Sequence, residues 1–406
     1  MHRVAITGVG IVSCLGNDVP TVGQALYDGA SGVVLDPERV ALGFRSPLTG
    51  MVRGFDPKAH LSRKERKTMT DFGLQAYVSA MEAITMAGLE PADLRNPRVG
   101  LVYGADSSCQ AAIEQANLTR EAESTRNITS GCVFRAMTSN VTMNLNALLG
   151  TQGACWSLGS ACSSGGHAVG QAADLIALGR QDRVICGGAQ EINWESMCSF
   201  DAINAFSTRI DAPAEASRPF DADRDGLVPS GGAASILLER YDLAQSRGAT
   251  ILGEIRGYGF SSDGERLSVP SIGGLQRAME MALEQASWVP DQIDCICAHA
   301  TSTPQGDASE AANIGRVFQD HRPWVTALKS MTGHELWMTG ASGVVYCTIM
   351  AQRGFIARTR NFSRPGPACE DLRITIARVE APPTRVLANS AGFGGTNSCL
   401  ALDFAR

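Results

Sequence analysis

The stretch that decides the fold is Cys155-Trp-Ser-Leu-Gly-Ser-Ala-Cys162-Ser-Ser-Gly-Gly-His-Ala-Val-Gly170. Cys155–Leu158 reads as a short strand, and the segment from Ser163 to Leu178 reads as a helix rich in small residues. The chain must turn sharply at Gly159-Ser160-Ala161, which leaves Cys162 at the mouth of the helix. A thiol placed there lies in the positive field of the helix N-terminus, which favours the thiolate that a nucleophile needs. Ser163, Ser164, Gly165 and Gly166 leave room for another element to pack closely.

The same grammar of apolar strand, glycine turn and helix runs along the chain on both sides of this stretch. Strands are expected at Arg3–Thr7, Val99–Tyr103, Arg183–Cys186, Ala234–Glu239, Ile251–Tyr258, Ile293–Ala298, Trp324–Ala327 and Arg385–Asn389. Helices are expected at Val22–Tyr27, Lys64–Ala87, Leu275–Ala286, Ser309–Phe318 and Gly340–Gln352. Alternation of this kind predicts an α/β protein with largely parallel, buried strands. The two halves are written in a similar style, although no residue-level repeat is evident. The expected organisation is an N-terminal half over residues 1–250 and a C-terminal half over 251–406.

Composition narrows the classes of function. The 406 residues are 44% hydrophobic and 19% charged with a net charge of −6, which suits a globular protein and not a general nucleic-acid binder. No apolar run approaches the roughly 18 residues that span a bilayer, and no secretory signal is read, so a cytoplasmic protein without membrane contact is expected. The 12 cysteines are scattered and read as thiols. Cys295, Cys297 and His299 alternate onto one strand face, but no second ligand pair stands at a zinc-like distance, so no metal is expected. Gly8-Val-Gly10 lacks the third glycine and the later acidic residue of a dinucleotide fingerprint.

Three more segments carry chemistry. His299-Ala-Thr301-Ser-Thr303-Pro-Gln-Gly-Asp307 places a histidine at the end of a buried strand, where open α/β folds build their sites. Lys329-Ser-Met-Thr-Gly-His334 places a lysine five residues from a second histidine across a glycine turn. Gly392-Phe393-Gly394-Gly395 can present backbone N–H groups to an oxyanion, or be a plain turn between strands.

In this order the four segments resemble the signature blocks of the β-ketoacyl-acyl-carrier-protein synthases, nearest to types I and II. The likeness extends through Arg3–Asn17 (RVAITGVGIVSCLGN), Phe200–Arg209 (FDAINAFSTR) and Ala216–Val228 (ASRPFDADRDGLV) to Gly392–Asn397 (GFGGTN). The resemblance implies a thiolase-like five-layer αβαβα sandwich built from two related halves. It implies decarboxylative Claisen condensation of malonyl-carrier protein with an acyl group held on Cys162. By the same resemblance His299 and His334 serve the decarboxylation, Lys329 supports them electrostatically, and Asp307 and Glu310 brace the histidine loop. Thr301 and Thr303 match hydroxyls that hold a phosphopantetheine arm. Phe393 matches a gating residue flanked by Gly392 and Gly394, and the Cys162 and Phe393 N–H groups match an oxyanion hole. No cofactor is implied beyond the carrier protein's arm.

The implied partners are an acyl carrier protein, landing on a basic patch at Lys64 and Lys67, and a second subunit, identical or related. A CoA-dependent thiolase-type acyltransferase and a partner subunit of a ketosynthase heterodimer are the alternatives. The chain departs from the family at Ala300, Ala391 and above all Glu335-Leu-Trp337-Met-Thr339, where the family has small residues. Trp337 is therefore expected to shape the substrate pocket. The His-Glu-Leu-Trp-Met pattern looks like ketosynthases of aryl polyene pathways, which extend conjugated chains.

Overall fold

The computed structural model describes residues 1–265, 267 and 270–405. Its main sheet is made of β1 (Val4–Val12), β2 (Val99–Gly104), β3 (Cys155–Leu158), β4 (Arg183–Gln190), β5 (Gly232–Arg240), β6 (Gly253–Ser262), β7 (Cys295–Cys297), β8 (Trp324–Thr326), β9 (Arg373–Ile374), β10 (Arg385–Gly392) and β11 (Thr396–Asp403). The order across the sheet is β9-β8-β7-β10-β11-β6-β1-β5-β4-β2-β3. The two halves meet where Val4–Ile6 of β1 pair with Gly253–Ile255 of β6.

Outward from that seam both halves follow one plan. In the first, β1 pairs antiparallel with β5, β5 antiparallel with β4, then β4, β2 and β3 run parallel. In the second, β6 pairs antiparallel with β11, β11 antiparallel with β10, then β10, β7 and β8 run parallel. β2, β4 and β5 are buried on both faces, as strands covered by helices on both sides must be. Alternate residues serve different cores: Val102, Val184, Ile236 and Leu238 face the middle of the molecule, and Leu101, Tyr103, Ile185 and Leu237 face outward.

Five helices complete the layers: α1 (Asp71–Met86), α2 (Ser164–Ala177), α3 (Gly274–Ala286), α4 (Pro304–Phe318) and α5 (Thr339–Arg353). α1 covers the outer face of the first half against β1 and β5. α3 covers the outer face of the second half against β6 and β11, with α4 beside it. α2 and α5 lie against each other between the two sheet halves. The result is the expected five-layer arrangement.

The structure reveals the residue-level repeat that the sequence reading missed. Ile6-Thr-Gly8-Val-Gly10-Ile11 on β1 corresponds to Ile255-Arg-Gly257-Tyr-Gly259-Phe260 on β6. A Cβ on Gly8 would overlap the carbonyl of Ala83 in α1, and one on Gly10 that of Ser79. A Cβ on Gly257 or Gly259 would overlap the carbonyls of Ala282 or Ala278 in α3. Each glycine pair lets an outer helix lie directly on the innermost strand of its half.

Several expected elements change. The single helix over Lys64–Ala87 is two: a short turn Arg63–Arg66 and α1. Ser62 and Glu65 close a capping box on the first, and Thr70 accepts from Gly73 N–H to start the second. α4 begins five residues earlier than expected because Thr303 caps it and Pro304 fits its first turn. The strand expected at Arg385–Asn389 runs on to Gly392. Helices over Cys109–Ala122, Asn140–Leu149 and Trp194–Ala202 were not read from the sequence.

Candidate active site

Cys162 sits in a 3-10 turn, Ala161–Ser163, between β3 and α2. Ala161 holds φ at 46°, so the turn carries strain at a non-glycine residue. Four bonds fix it. Asp106 accepts from Ala161 N–H at 2.8 Å and Ser164 Oγ accepts from Ser160 N–H at 2.7 Å. Ser163 Oγ donates to Ser160 carbonyl at 2.7 Å, and Thr396 Oγ1 donates to the same carbonyl at 3.0 Å. A Cβ on Gly392 would crowd Cys162 N at 3.0 Å, so glycine there lets the β10–β11 turn reach Cys162.

α5 brings the second histidine to the same place. A Cβ on Gly340 would overlap Gly166 N, and one on Gly165 would sit 2.9 Å from Trp337 carbonyl. The small residues noted in the sequence thus let the two central helices touch at their N-terminal ends. His334 lies in the turn before α5. Its Nδ1 accepts from Leu336 N–H at 3.3 Å and lies 3.2 Å from Thr339 Oγ1. The ring proton of the neutral imidazole is therefore on Nε2, pointing a donor away from the backbone.

His299 stands two residues beyond β7. Glu310 accepts from His299 N–H at 2.8 Å and Ala300 N–H at 2.6 Å, and Asn389 Nδ2 donates to it at 3.1 Å. Asp307 accepts from Phe220 N–H at 2.7 Å and Ser302 N–H at 3.0 Å, with Arg224 at 3.6 Å. Two carboxylates thus hold a loop in which Ala300 and Ser302 have φ of 29° and 71°. The His299 and His334 rings lie edge to face with centroids 5.1 Å apart. His299 Nδ1 is buried without a hydrogen-bond partner among the described residues.

Cys162, His299 and His334 line one cavity of about 810 Å³. Thr301, Thr303, Gly392 and Phe393 line it too. Thr301 and Thr303 hydroxyls are 2.9 Å apart, and Thr303 also caps α4. Phe393 is 43% exposed and stacks on Phe200 at 6.0 Å, which stacks on Phe206 at 6.2 Å. Gly394 and Gly395, with φ of 81° and 71°, form the turn that carries Phe393.

Trp337 lies outside this described lining, whereas Leu336 lines it. The indole packs with Cys162, Met197, Phe206 and Leu227 in an apolar cluster, and its Nε1–H donates to Ser107 Oγ at 3.1 Å. Lys64 and Lys67 are exposed on and just after the Arg63–Arg66 turn.

Charge in the site is governed by burial. The expectation that the helix field makes Cys162 a thiolate does not hold for the free enzyme. Burial pushes its thiol up to about 12, outweighing Lys329 and the N–H groups of Phe393 and Cys162 itself. Burial, with Lys329 second, holds both histidines well below the usual imidazole range, so both are neutral at pH 7. Lys329 is itself buried and lowered by that burial, while Cys297, Glu310, Glu335 and Cys162 act against the lowering. Asp106, Phe200 and Asn389 are site residues the sequence reading missed. Asp106 had a signal: it stands two residues past a buried parallel strand, as His299 does.

Comparison with known proteins agrees with this geometry. A family model described as "Beta-ketoacyl synthase, N-terminal domain" matches residues 1–244, and "Beta-ketoacyl synthase, C-terminal domain" matches 252–363. The chain is 39% identical over 405 residues to 3-oxoacyl-[acyl-carrier-protein] synthase 1 of Escherichia coli K12, covering 99% of each. A β-ketoacyl synthase from Burkholderia phymatum superposes with a TM-score of 0.95 at 33% identity, covering all of both chains. A type II polyketide ketosynthase, solved in complex with its acyl-carrier protein and bound to the hexaketide, superposes at 0.90 with 27% identity, again over the whole of both chains. A cysteine on a strained turn and two neutral imidazoles, in a chain matched by the models of both domains of one family, place this protein in the β-ketoacyl synthase family.

Proposed function

We propose that the protein is a β-ketoacyl-acyl-carrier-protein synthase that extends an acyl group held on Cys162 by two carbons. The observation that carries this reading is the shared cavity: one thiol and two neutral imidazoles line it together, with Glu310 holding the His299 backbone N–H.

The chemistry runs in two exchanges. In the first, the acyl group passes from the carrier thioester to Cys162 sulfur, and the Cys162 proton ends on the departing pantetheine thiol. In the second, malonyl thioester loses carbon dioxide, and the electrons of the broken C–C bond pass to the α-carbon and thioester oxygen. The N–H donors of His299 and His334 hold that enolate oxygen. Preorganised donors of this type contribute about 3–4 kcal/mol each. The carbanion attacks the acyl-Cys162 carbonyl, whose oxygen is met by the N–H groups of Cys162 and Phe393. Collapse expels the cysteine sulfur, which regains a proton.

Thr301 and Thr303 offer hydroxyls along the cavity for a phosphopantetheine arm, with Phe393 as its gate. Two supports bear on partners. The exposed basic turn at Lys64 and Lys67 suits an acidic carrier protein. Edge strand β3 leaves Cys155 exposed and Trp156 39% exposed, an unpaired apolar edge suited to a second subunit. The assignment of residues 1–250 to the nucleophile and 251–406 to the histidines belongs to the same reading, as does a cytoplasmic location without cofactor or metal. Among the described residues no helix is long and apolar enough to cross a membrane.

Leu336 lines the cavity and Trp337 packs with it in the apolar cluster around Cys162, so the pair sets the shape offered to the acyl chain, and a flat conjugated chain suits the narrow apolar wall they make. The test is a condensation assay with malonyl-carrier protein and matched saturated and 2,4-dienoyl carrier proteins. Elongation with preference for the dienoyl chain is expected. No elongation overturns the enzymatic reading, and preference for saturated chains removes the conjugated specialisation alone.

A further inference from the structure

Glu335 follows the catalytic His334 directly and is buried, yet nothing in the reaction above uses it. Its carboxylate accepts from Ser342 Oγ at 2.5 Å and from Tyr346 OH at 2.5 Å. It lines a second, small cavity of about 20 Å³ together with Lys329, Tyr346, Ser342 and Asn389. Lys329 makes no ion pair within 4 Å among the described residues, and Asn389 Oδ1 is buried without a partner. A polar cavity of that volume accommodates one water molecule.

We propose that Glu335 is a positioning residue, the counter-charge that keeps Lys329 protonated across this one-water cavity and thereby fixes the electrostatics of both catalytic histidines. The inference deepens the condensation reading and rests on it for its kinetic arm.

The groups facing Lys329 are Cys297 from β7, Glu310 from α4, Glu335, Cys162, and the two histidines. Those facing Glu335 are Tyr346 from α5, Lys329, and Cys14 from the segment after β1. Burial works against the ammonium form of Lys329, and Glu335 works for it. A charged Lys329 in turn disfavours protonation of His299 and His334. Removing the Glu335 charge should let Lys329 lose its proton at lower pH; the positive charge that Lys329 lends to the site of the developing enolate is then lost at lower pH, and the alkaline limb of the rate moves with it.

The test compares wild type with Glu335→Gln, whose amide oxygen can still accept from one of the Ser342 and Tyr346 hydroxyls while its NH2 donates to the other. Decarboxylation of malonyl-carrier protein is followed from pH 6 to 10. The expected result is an alkaline limb displaced to lower pH by about one unit with KM little changed. A uniform loss at every pH, or a superposed profile, overturns the proposal. A second measurement uses the protein without substrate: a thermal double-mutant cycle of Glu335→Gln and Lys329→Met. Coupling is expected, the double variant melting higher than the sum of the single shifts allows. Additive shifts overturn the proposal. If wild type does not decarboxylate malonyl-carrier protein, the condensation reading fails and the cycle alone decides on Glu335.

Discussion

The two halves share one strand plan yet hold different chemistry at matching places. Past β2 the first half carries Asp106, and past β7 the second carries His299, each two residues beyond its strand. Past β3 the first half carries Cys162, and past β8 the second carries Lys329 and His334. All four loops leave the C-terminal ends of parallel strands, where such sheets gather their sites. In the first half the acid holds the Cys162 turn through Ala161 N–H. In the second, carboxylates hold the histidine loop through His299, Ala300 and Ser302 N–H. The duplicated frame sets position, and a few loop residues set role.

The largest expected effect separates the roles. Cys162→Ala should abolish chain elongation while malonyl-carrier-protein decarboxylation persists, because the imidazoles remain. His299→Ala or His334→Ala should lower decarboxylation by about 10²–10³-fold, the cost of one preorganised donor. Carbon dioxide release and product chain length, measured on the same samples, check this. Equal loss of both readouts in Cys162→Ala would break the division of labour.

The next effect tests the frame. Gly8→Ala and Gly259→Ala each force a methyl onto a helix carbonyl, in opposite halves. Each should destabilise by about 1–3 kcal/mol, as overpacking does. Denaturant melts check it, and a cost in one half only would contradict the equivalence of the glycine pairs. Lys64→Glu with Lys67→Glu should then weaken carrier-protein binding about tenfold at low salt and less at high salt. Titration calorimetry at two ionic strengths reads this.

The smallest effect is a pH slope. His167 is held down to about 4 by burial and bonds Tyr258 OH at 2.7 Å. Its folded pKa lies below the unfolded value of about 6.5. The unfolded chain therefore binds the extra proton between about pH 4 and 6.5, and stability falls as pH drops through that window. His299 and His334 add to the same slope. His167→Asn should flatten it by up to one proton, measured by urea midpoints at pH 4.5 and 7. An unchanged slope would show that His167 does not stay neutral in the fold.

Much of this was legible in the sequence because it was written in local patterns. The strand, turn and small-residue helix around Cys162 could be read from Gly159 to Gly170. His299, Lys329, His334 and Phe393 stood at strand ends or glycine turns. Less visible was anything set by contacts between distant segments. Asp106 and Asn389 work through partners far along the chain, at Ala161 and Glu310. The glycine repeat was hidden because its meaning lies in the helices it admits, not in neighbouring residues. The Cys162 thiol was misjudged because a helix end suggests a field, while the desolvation that outweighs it appears only once the cavity walls are assembled.

Intact-mass analysis after incubation with an acyl carrier protein thioester tests the central assignment most directly. Wild type is expected to gain the mass of one acyl group, mapped to Cys162, and to lose it when malonyl-carrier protein is added. A Cys162→Ala variant that still acquires the acyl group, or a wild type that never does, would contradict it.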